Sequence, residues 1–446
     1  MAYTPHTDEQ ERQLLARLGV DSVEQLFAEQ IPAALRLRRP LDLPPALSEI
    51  ELRRHFAELV ARNRPASEQI CFLGAGIYDH YVPSVVGSVI SRGEFYTAYT
   101  PYQPEMSQGT LQAIFEFQTM ICELTGLDVA NASLYDGATA LAEAILMACD
   151  TTGRAEVLLP AALHPAWRRV VATYTDGLGI RLATVPWRDG ITPPAEVEQR
   201  ITRETACLVI QQPNFLGSIE DVAALATIAQ AAGAAVVVAA NPIALGLLAP
   251  PGEQGADICV GEGQPLGLGM NLGGPLLGFM AAKNAYLRRM PGRLVGQTRD
   301  RDGRIGYCLT LQTREQHIRR ERATSNICTN QGLMMLAATT YLATMGRQGL
   351  REVATQCVQK AHYAAARLAE VPGYSLAFDA PFFHEFVLRC PKPATEIAAT
   401  LAERGILAGY PLGREYPDLA DGLLVAVTEQ RTRAEIDTFA AALASS

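Results

Sequence analysis

Lysine is almost missing from this chain. Of the 38 basic residues among 446, only Lys283, Lys360 and Lys392 are lysines, and the rest are arginine. Chemistry that needs a side-chain primary amine, such as imine formation, is confined to those three positions. An excess of positive charge is missing too. The net charge of −9 argues against a nucleic-acid or anionic-membrane partner. No uncharged apolar run reaches the ~18 residues a membrane helix needs. The start, Met1-Ala-Tyr-Thr-Pro-His-Thr-Asp8, lacks the basic and apolar stretches of a secretory signal. None of the nine cysteines forms a Cys-x-x-Cys pair, and most sit in apolar stretches such as Cys207-Leu-Val-Ile. Reduced, buried thiols in a cytoplasmic protein are therefore expected, without metal or disulfide.

What is present is a core-rich chain, 48% hydrophobic and 19% charged, and too long for one compact core. Three parts are expected: an arm over 1–68, a large α/β domain over 69–330, and connecting helices with a small α+β domain over 331–446. In the arm, Thr7 or Asp8 can cap a helix to Leu18 that stops at Gly19, and Asp21 can cap another through Phe27. Pro32, Pro40, Pro44 and Pro45 then impose an extended path carrying Leu35, Leu37, Leu41 and Leu43. Such a segment can wrap a neighbouring subunit or its own domain.

Apolar β-rich runs follow at 130–134, 157–159, 182–185, 207–210, 235–239, 257–260 and 276–281, with helical patterns such as 139–148 and 222–232 between them. Short apolar strands separated by helices predict a mostly parallel sheet covered on both faces. Long helices are expected over 331–345 and 350–369. The small domain is expected to hold strands at 375–378, 386–390 and 423–427, with helices over 395–403 and from Thr432.

Several strand ends carry distinctive loops. Ser133-Leu-Tyr-Asp136-Gly-Ala-Thr139-Ala140 leads from a strand into a helix, where backbone N–H groups can bind an anion; an ordinary glycine turn has the same pattern. His164-Pro165, Gln211-Gln-Pro-Asn214-Phe-Leu-Gly217, Asn241-Pro242 and Gly255-Ala-Asp-Ile-Cys-Val-Gly261 follow, and Gly273-Gly-Pro275 closes the series. Ligands of open α/β sheets bind at such carboxyl ends. A dinucleotide site is disfavoured: Gly261-Glu-Gly-Gln-Pro-Leu-Gly267 lacks the G-x-G-x-x-G spacing, and Pro265 falls where a helix should start.

The order of these loops resembles that of fold-type-I pyridoxal-phosphate (PLP) enzymes, which hold the cofactor through a lysine and set an acid beside its ring nitrogen. By comparison with them, the His-Lys position is occupied by Gln264-Pro265. The strand that should supply the acid ends Ala239-Ala240-Asn241. Lys283 reads as a solvated helix residue, and Lys360 and Lys392 fall outside the sheet domain. Four further blocks are similar to glycine decarboxylase, the P protein of the glycine cleavage system. They are Gly74–Pro83, Phe95–Gly109, Met290–Gly296 and Ser325–Asn330. The second is the longest and most specific.

The resemblance is to the cofactor-free subunit 1 of the two-subunit form. It implies that PLP sits on a lysine-bearing subunit 2, that glycine is decarboxylated there, and that the aminomethyl group passes to the lipoyl group of the H protein. This chain would complete the active site, with no catalytic residue and no covalent cofactor of its own. Tyr96, Thr97, Tyr99, Tyr102, Glu105 and Gln108 are the implied wall of a shared pocket, together with Asn326 and Thr329; Tyr78 and His80 would support it. A proline-rich surface turn would explain the first group equally. His164 matches a ring-stacking position in PLP enzymes, and without the cofactor it reads as a packing group. Arg314, Arg319, Arg320 and Arg322 read as a charged helix face partnered by Glu315 and Glu321. The alternatives are a non-catalytic assembly or regulatory protein on a decayed PLP-enzyme fold, and a stand-alone enzyme that binds PLP or another phosphate non-covalently at Asp136–Ala140.

Overall fold

A computed structural model describes residues 5–37, 39, 41–271, 274–323 and 325–446. Gly273, and with it the start of the Gly273–Pro275 loop, lies outside the described residues, as do Met1–Thr4 and Pro40.

The centre is a seven-stranded sheet in the order Val129–Ala130, Gly278–Ala282, Ile258–Glu262, Ala235–Ala240, Thr205–Gln212, Glu156–Pro160, Arg181–Val185. The five strands from Ile258–Glu262 onward pair in parallel; Gly278–Ala282 runs antiparallel to both its neighbours. The strands read as unbroken apolar runs because both faces are buried. Along Ala235–Ala240, Val236, Val238 and Ala240 enter one core, and Val237 and Ala239 the other. Side chains alternate across a strand, so covering both faces demands an apolar residue at every position.

The Gln108–Thr125 helix covers the first face through Leu111, Ile114, Phe117 and Ile121. The Gly137–Thr152 helix covers the second through Leu141, Ile145 and Ala148. Helix and strand periods thus agree on one architecture, a mostly parallel α/β sheet with helices on both sides. The two helices expected after residue 331 form one element, Gly332–Ala369, broken at Gly346, whose φ of 59° and ψ of −176° are non-helical. Only glycine adopts such a backbone readily. A four-stranded antiparallel sheet follows, ordered Ser375–Leu376, Glu385–Arg389, Gly422–Ala426, Tyr410–Pro411. The Ala394–Glu403 and Arg433–Ala444 helices pack on it.

By its internal contacts the chain parts into Met1–Arg64 and Pro65–Ser446. In the first unit, the helix Asp8–Leu18 has the expected cap at Thr7 and stop at Gly19. The second helix is Val23–Gln30, capped by Ser22 rather than Asp21. A third, Glu49–Val60, was not expected, although Ser48-x-x-Glu51 forms a capping box there. None of the three helices has a buried residue. An antiparallel hairpin, Leu294–Arg299 with Ile305–Thr310, was likewise unexpected.

Phe117 is fully buried between helix and sheet. Phe117→Ala should lower folding stability by about 3–5 kcal/mol, read from denaturant unfolding; a loss below about 1 kcal/mol would mean the site collapses around the gap.

Candidate functional site

The carboxyl ends of the parallel strands converge where the ligand of an open α/β sheet belongs. Gly76, Tyr78, His164, Trp167, Gln211, Ala240, Asn241, Glu262, Pro265, His384 and Glu385 line a cavity there of only about 40 Å3. That is room for the centres of a few water molecules.

The reason lies in the side chains. At the head of the Gly137–Thr152 helix, the anion site expected at Asp136–Ala140 is taken by the chain's own carboxylates. The Gly137 N–H donates to Glu262 Oε2 (3.0 Å), and the Thr139 N–H to Asp136 Oδ1 (2.7 Å). Glu262 Oε1 accepts from Gln264 N–H (3.0 Å) and Leu277 N–H (2.9 Å). Burial pushes the Glu262 carboxyl up to about 7 against the pull of these three donors. Trp167 lies so close that a Cβ on Gly137 would be 2.4 Å from its ring.

In the lysine position, Gln264 is fully buried and structurally committed. Its Oε1 accepts from the Tyr78 N–H (3.0 Å), and its Nε2 donates to Tyr78 O (3.0 Å) and Leu268 O (2.8 Å). Asn241 Oδ1 is committed to its own turn, accepting from Ile243 N–H at 2.9 Å. His164 accepts from the Ala166 N–H through Nδ1 (3.1 Å) and donates from Nε2 to Ala75 O (2.8 Å). Its ring stacks on Trp167, 5.9 Å between centroids. The residues of this pocket do not fit PLP: no lysine lines it, and N–H groups at the helix head are taken by the chain's own carboxylates.

The Tyr78 and His80 rings meet edge to face, 6.1 Å between centroids, but their polar atoms bond elsewhere. The Tyr78 hydroxyl donates to Glu385 Oε2 (2.7 Å), Asp79 pairs with Arg431 (2.9 Å), and His80 Nδ1 meets Glu429 Oε2 (2.7 Å). Each is held by a different partner from the C-terminal segment. Lys283 keeps a side chain 41% exposed, as expected, but it precedes a short 3-10 turn rather than lying on a helix, and its Nζ donates to Asp257 Oδ1 at 2.7 Å.

The Phe95–Gly109 segment lies elsewhere, and its aromatic side chains are uncovered: Tyr96 is 68% and Tyr99 81% exposed. Tyr96, Tyr99 and Thr329 share a second cavity of about 190 Å3 with Phe95, Ile114 and Met335. Thr97 Oγ1 donates to Gly93 O (2.6 Å), closing the turn before the loop. Glu105 is exposed on the turn Pro104–Met106. Gln108 is a clamp: its Nε2 donates to Pro104 O and Tyr307 O (both 2.8 Å), and its Oε1 accepts from the Tyr307 N–H (2.9 Å). Asn326 is exposed, and its Oδ1 accepts from Gln316 Nε2 at 3.3 Å.

One residue quoted only as part of a sequence block joins the two loops. Arg293 is 2% exposed. Its Nη2 donates to the Tyr102 hydroxyl (2.7 Å), its Nη1 to Cys328 O (2.6 Å), and its guanidinium lies 5.3 Å from the Tyr102 ring centroid. Glu315, also buried, is 3.9 Å away. The arginine cluster is therefore not a charged helix face. The helix there is only Gln316–Arg319, Glu315 turns inward, and Arg314 donates to Met290 O and to Gly292 O (3.0 Å).

The sheet order and strand-end loops define the class: this is the fold of the PLP-dependent transferases. Solved structures of a sphingosine-1-phosphate lyase from Burkholderia pseudomallei (TM-score 0.65, 16% identity, 93% of this chain and 94% of that one) and of a Lactobacillus brevis glutamate decarboxylase (0.67, 14%, 93% and 96%) share it. Residues 1–443 match the model of the glycine cleavage system P-protein family, and the chain belongs to that family. It is similar to the probable glycine dehydrogenase (decarboxylating) subunit 1 of Moorella thermoacetica, 54% identical over 99% of both chains. The same-named protein of Carboxydothermus hydrogenoformans is 55% identical over 98% of both. A crystal structure of glycine decarboxylase (P-protein) of the glycine cleavage system in inhibitor-bound form superposes with a TM-score of 0.94 at 48% identity, covering all of each chain. Among the described residues, no helix is long and apolar enough to cross a membrane.

Two outcomes test the pocket. Gln264→Lys should not confer PLP binding, because Glu262 and Trp167 still occupy the cradle; a visible cofactor absorbance that survives dialysis would show that the lysine alone was lacking. Glu385 is buried, and burial pushes its carboxyl up to about 7 from an ordinary 4.5. The folded state therefore holds this proton more tightly than the unfolded chain does. Its stabilisation is full below about pH 4.5 and is lost as pH rises through about 7, at roughly 1.4 kcal/mol per unit. Glu385→Gln should flatten the decline in stability between about pH 5 and 8; an unchanged slope in pH-dependent unfolding would place the proton elsewhere.

Proposed function

We propose that this chain is subunit 1 of a glycine dehydrogenase (decarboxylating) of the glycine cleavage system. It completes an active site whose PLP and cofactor lysine belong to a second subunit. The observation that carries this reading is the contrast between two places in the fold: a cofactor slot closed by the chain's own side chains, and an uncovered aromatic loop pinned by a buried arginine. The names and lengths of the relatives support it.

When bound to the partner, PLP supplies the electron sink for loss of carbon dioxide from glycine. The electron pair of the broken C–C bond reduces the lipoyl disulfide of the H protein. One sulfur receives the aminomethyl group and the other is left as a thiol. This chain's part is positional. Tyr96 and Tyr99 present ring faces and hydroxyls toward the partner's pocket. Thr97, Tyr102, Glu105, Asn326 and Thr329 shape its wall and exclude water. Gln108 holds the loop to Tyr307, and Arg293 holds Tyr102 against the 325–330 loop. Tyr78 lies in the closed slot and His80 behind it, so their support is structural.

The purified chain should neither bind PLP nor decarboxylate glycine, and mixing it with the second subunit should restore both decarboxylation and transfer to the lipoyl protein. In that pair, Tyr96→Phe, Glu105→Gln and Arg293→Lys should each lower turnover without separating the subunits. PLP-dependent turnover by this chain alone would overturn the reading. Wild-type turnover in all three variants would reduce the loop to a structural element and favour an assembly role.

A further inference from the structure

A second polar cluster lies deep in the larger unit, where the residues after Tyr78 meet the long helix and the segment before the last helix. Cys357 is fully buried and His80 is 4% exposed. Glu429 is inward-facing, with a side chain 9% exposed. One ligand atom from each lies within 4.8 Å of the others. Glu429 Oε1 is taken by the Tyr81 N–H (2.6 Å), which aims Oε2 at His80 Nδ1 (2.7 Å) and Cys357 Sγ (3.5 Å). The Glu429 carbonyl accepts from Lys360 Nζ, so the ammonium is turned to the backbone.

Around this triad, buried polar atoms go without partners. Among the described residues, neither His80 Nε2 nor either nitrogen of His384 has a partner, and the His384 ring centre lies 6.2 Å from that of His80. So many orphaned atoms in a native core call for an occupant, a water or an ion. Thiolate, imidazole and carboxylate together are the donor set of zinc and its first-row neighbours.

We propose that His80, Cys357 and Glu429 bind one Zn2+-class divalent cation, with a water as fourth ligand. Zinc bonds of about 2.0–2.3 Å place tetrahedral ligands roughly 3.3–3.8 Å apart. The Sγ–Oε2 separation already lies in that range, and the His80–Glu429 pair has only to open slightly. The cation replaces the Cys357 thiol proton, which leaves to solvent, and no redox change is involved. Its role is structural, tying the start of the large sheet domain to the C-terminal segment, and it is independent of the activity proposed above.

The test uses the full chain, alone and with its second subunit, stripped by a chelator, supplied with Zn2+ and passed through gel filtration. About one equivalent of zinc should remain per chain. Co2+ in its place should give a thiolate-to-cobalt charge-transfer band. The band and the retained zinc should be lost in Cys357→Ser and kept in Cys390→Ser, which alters a buried cysteine outside the cluster. No retained metal in the wild-type chain, or an undiminished band in Cys357→Ser, overturns the proposal; either leaves ordered water as the occupant. If Cys357→Ser does not fold, anomalous diffraction at the zinc edge from wild-type crystals decides. A peak between His80, Cys357 and Glu429 supports the site, and its absence rejects it.

Discussion

A carboxylate buried at the head of a helix must be met by donors, and Glu262 is met by three backbone N–H groups from three segments. One is the first turn of the Gly137–Thr152 helix, the place a phosphate would otherwise take. The loop order of the whole sheet end follows from this placement. The same turn carries Gln264, which holds Tyr78 by its backbone. Tyr78 holds Glu385 by its hydroxyl, Glu385 accepts from the Ala75 N–H, and Ala75 O accepts from His164. An apolar residue at 264 would orphan the Tyr78 N–H and C=O, at about 1–3 kcal/mol each. The Gln264 amide is thus a structural tie between this turn and Tyr78.

Much of the fold was legible because its strands are buried on both sides. An apolar residue at every position of 235–240 or 206–210 admits few structures, and the intervening helices carry their own 3.6-residue period. The Leu294–Thr310 hairpin was not legible: one end is polar and exposed, and its Gly296 and Gly306 weaken any strand pattern. The Glu49–Val60 helix had readable signals in the Ser48 and Glu51 capping box and in Leu52, Phe56, Leu59 and Val60 at helical spacing, although no helix was expected there.

The site was legible only in part, and the division has a physical cause. Residues proposed for their chemistry stand out by type, as the tyrosines of the 95–109 segment do. Residues that act by position depend on partners far away in the chain. Gln108 meets Tyr307 at a separation of 199 residues, and Arg293 meets Tyr102 at 191. No local pattern carries such a pairing. Arg314 misled for the same reason, since its charge suggests solvent while its guanidinium closes the Met290–Gly292 turn.

The buried guanidinium of Arg293 links the two halves of this account. A charge withdrawn from water needs partners on several sides, and here they come from the aromatic loop, the 325–330 loop and Glu315. That commitment fixes where the loop begins and ends, while leaving Tyr96 and Tyr99 uncovered. In the closed slot the opposite holds, because Gln264, Glu262 and Asn241 all bond within the chain. The two places thus differ in what they leave open: the first commits Gln264 and Glu262 inward, and the second holds aromatic rings outward. Tyrosine suits that place, since it offers large rigid area at a cost of two torsions and keeps a hydroxyl to donate or accept.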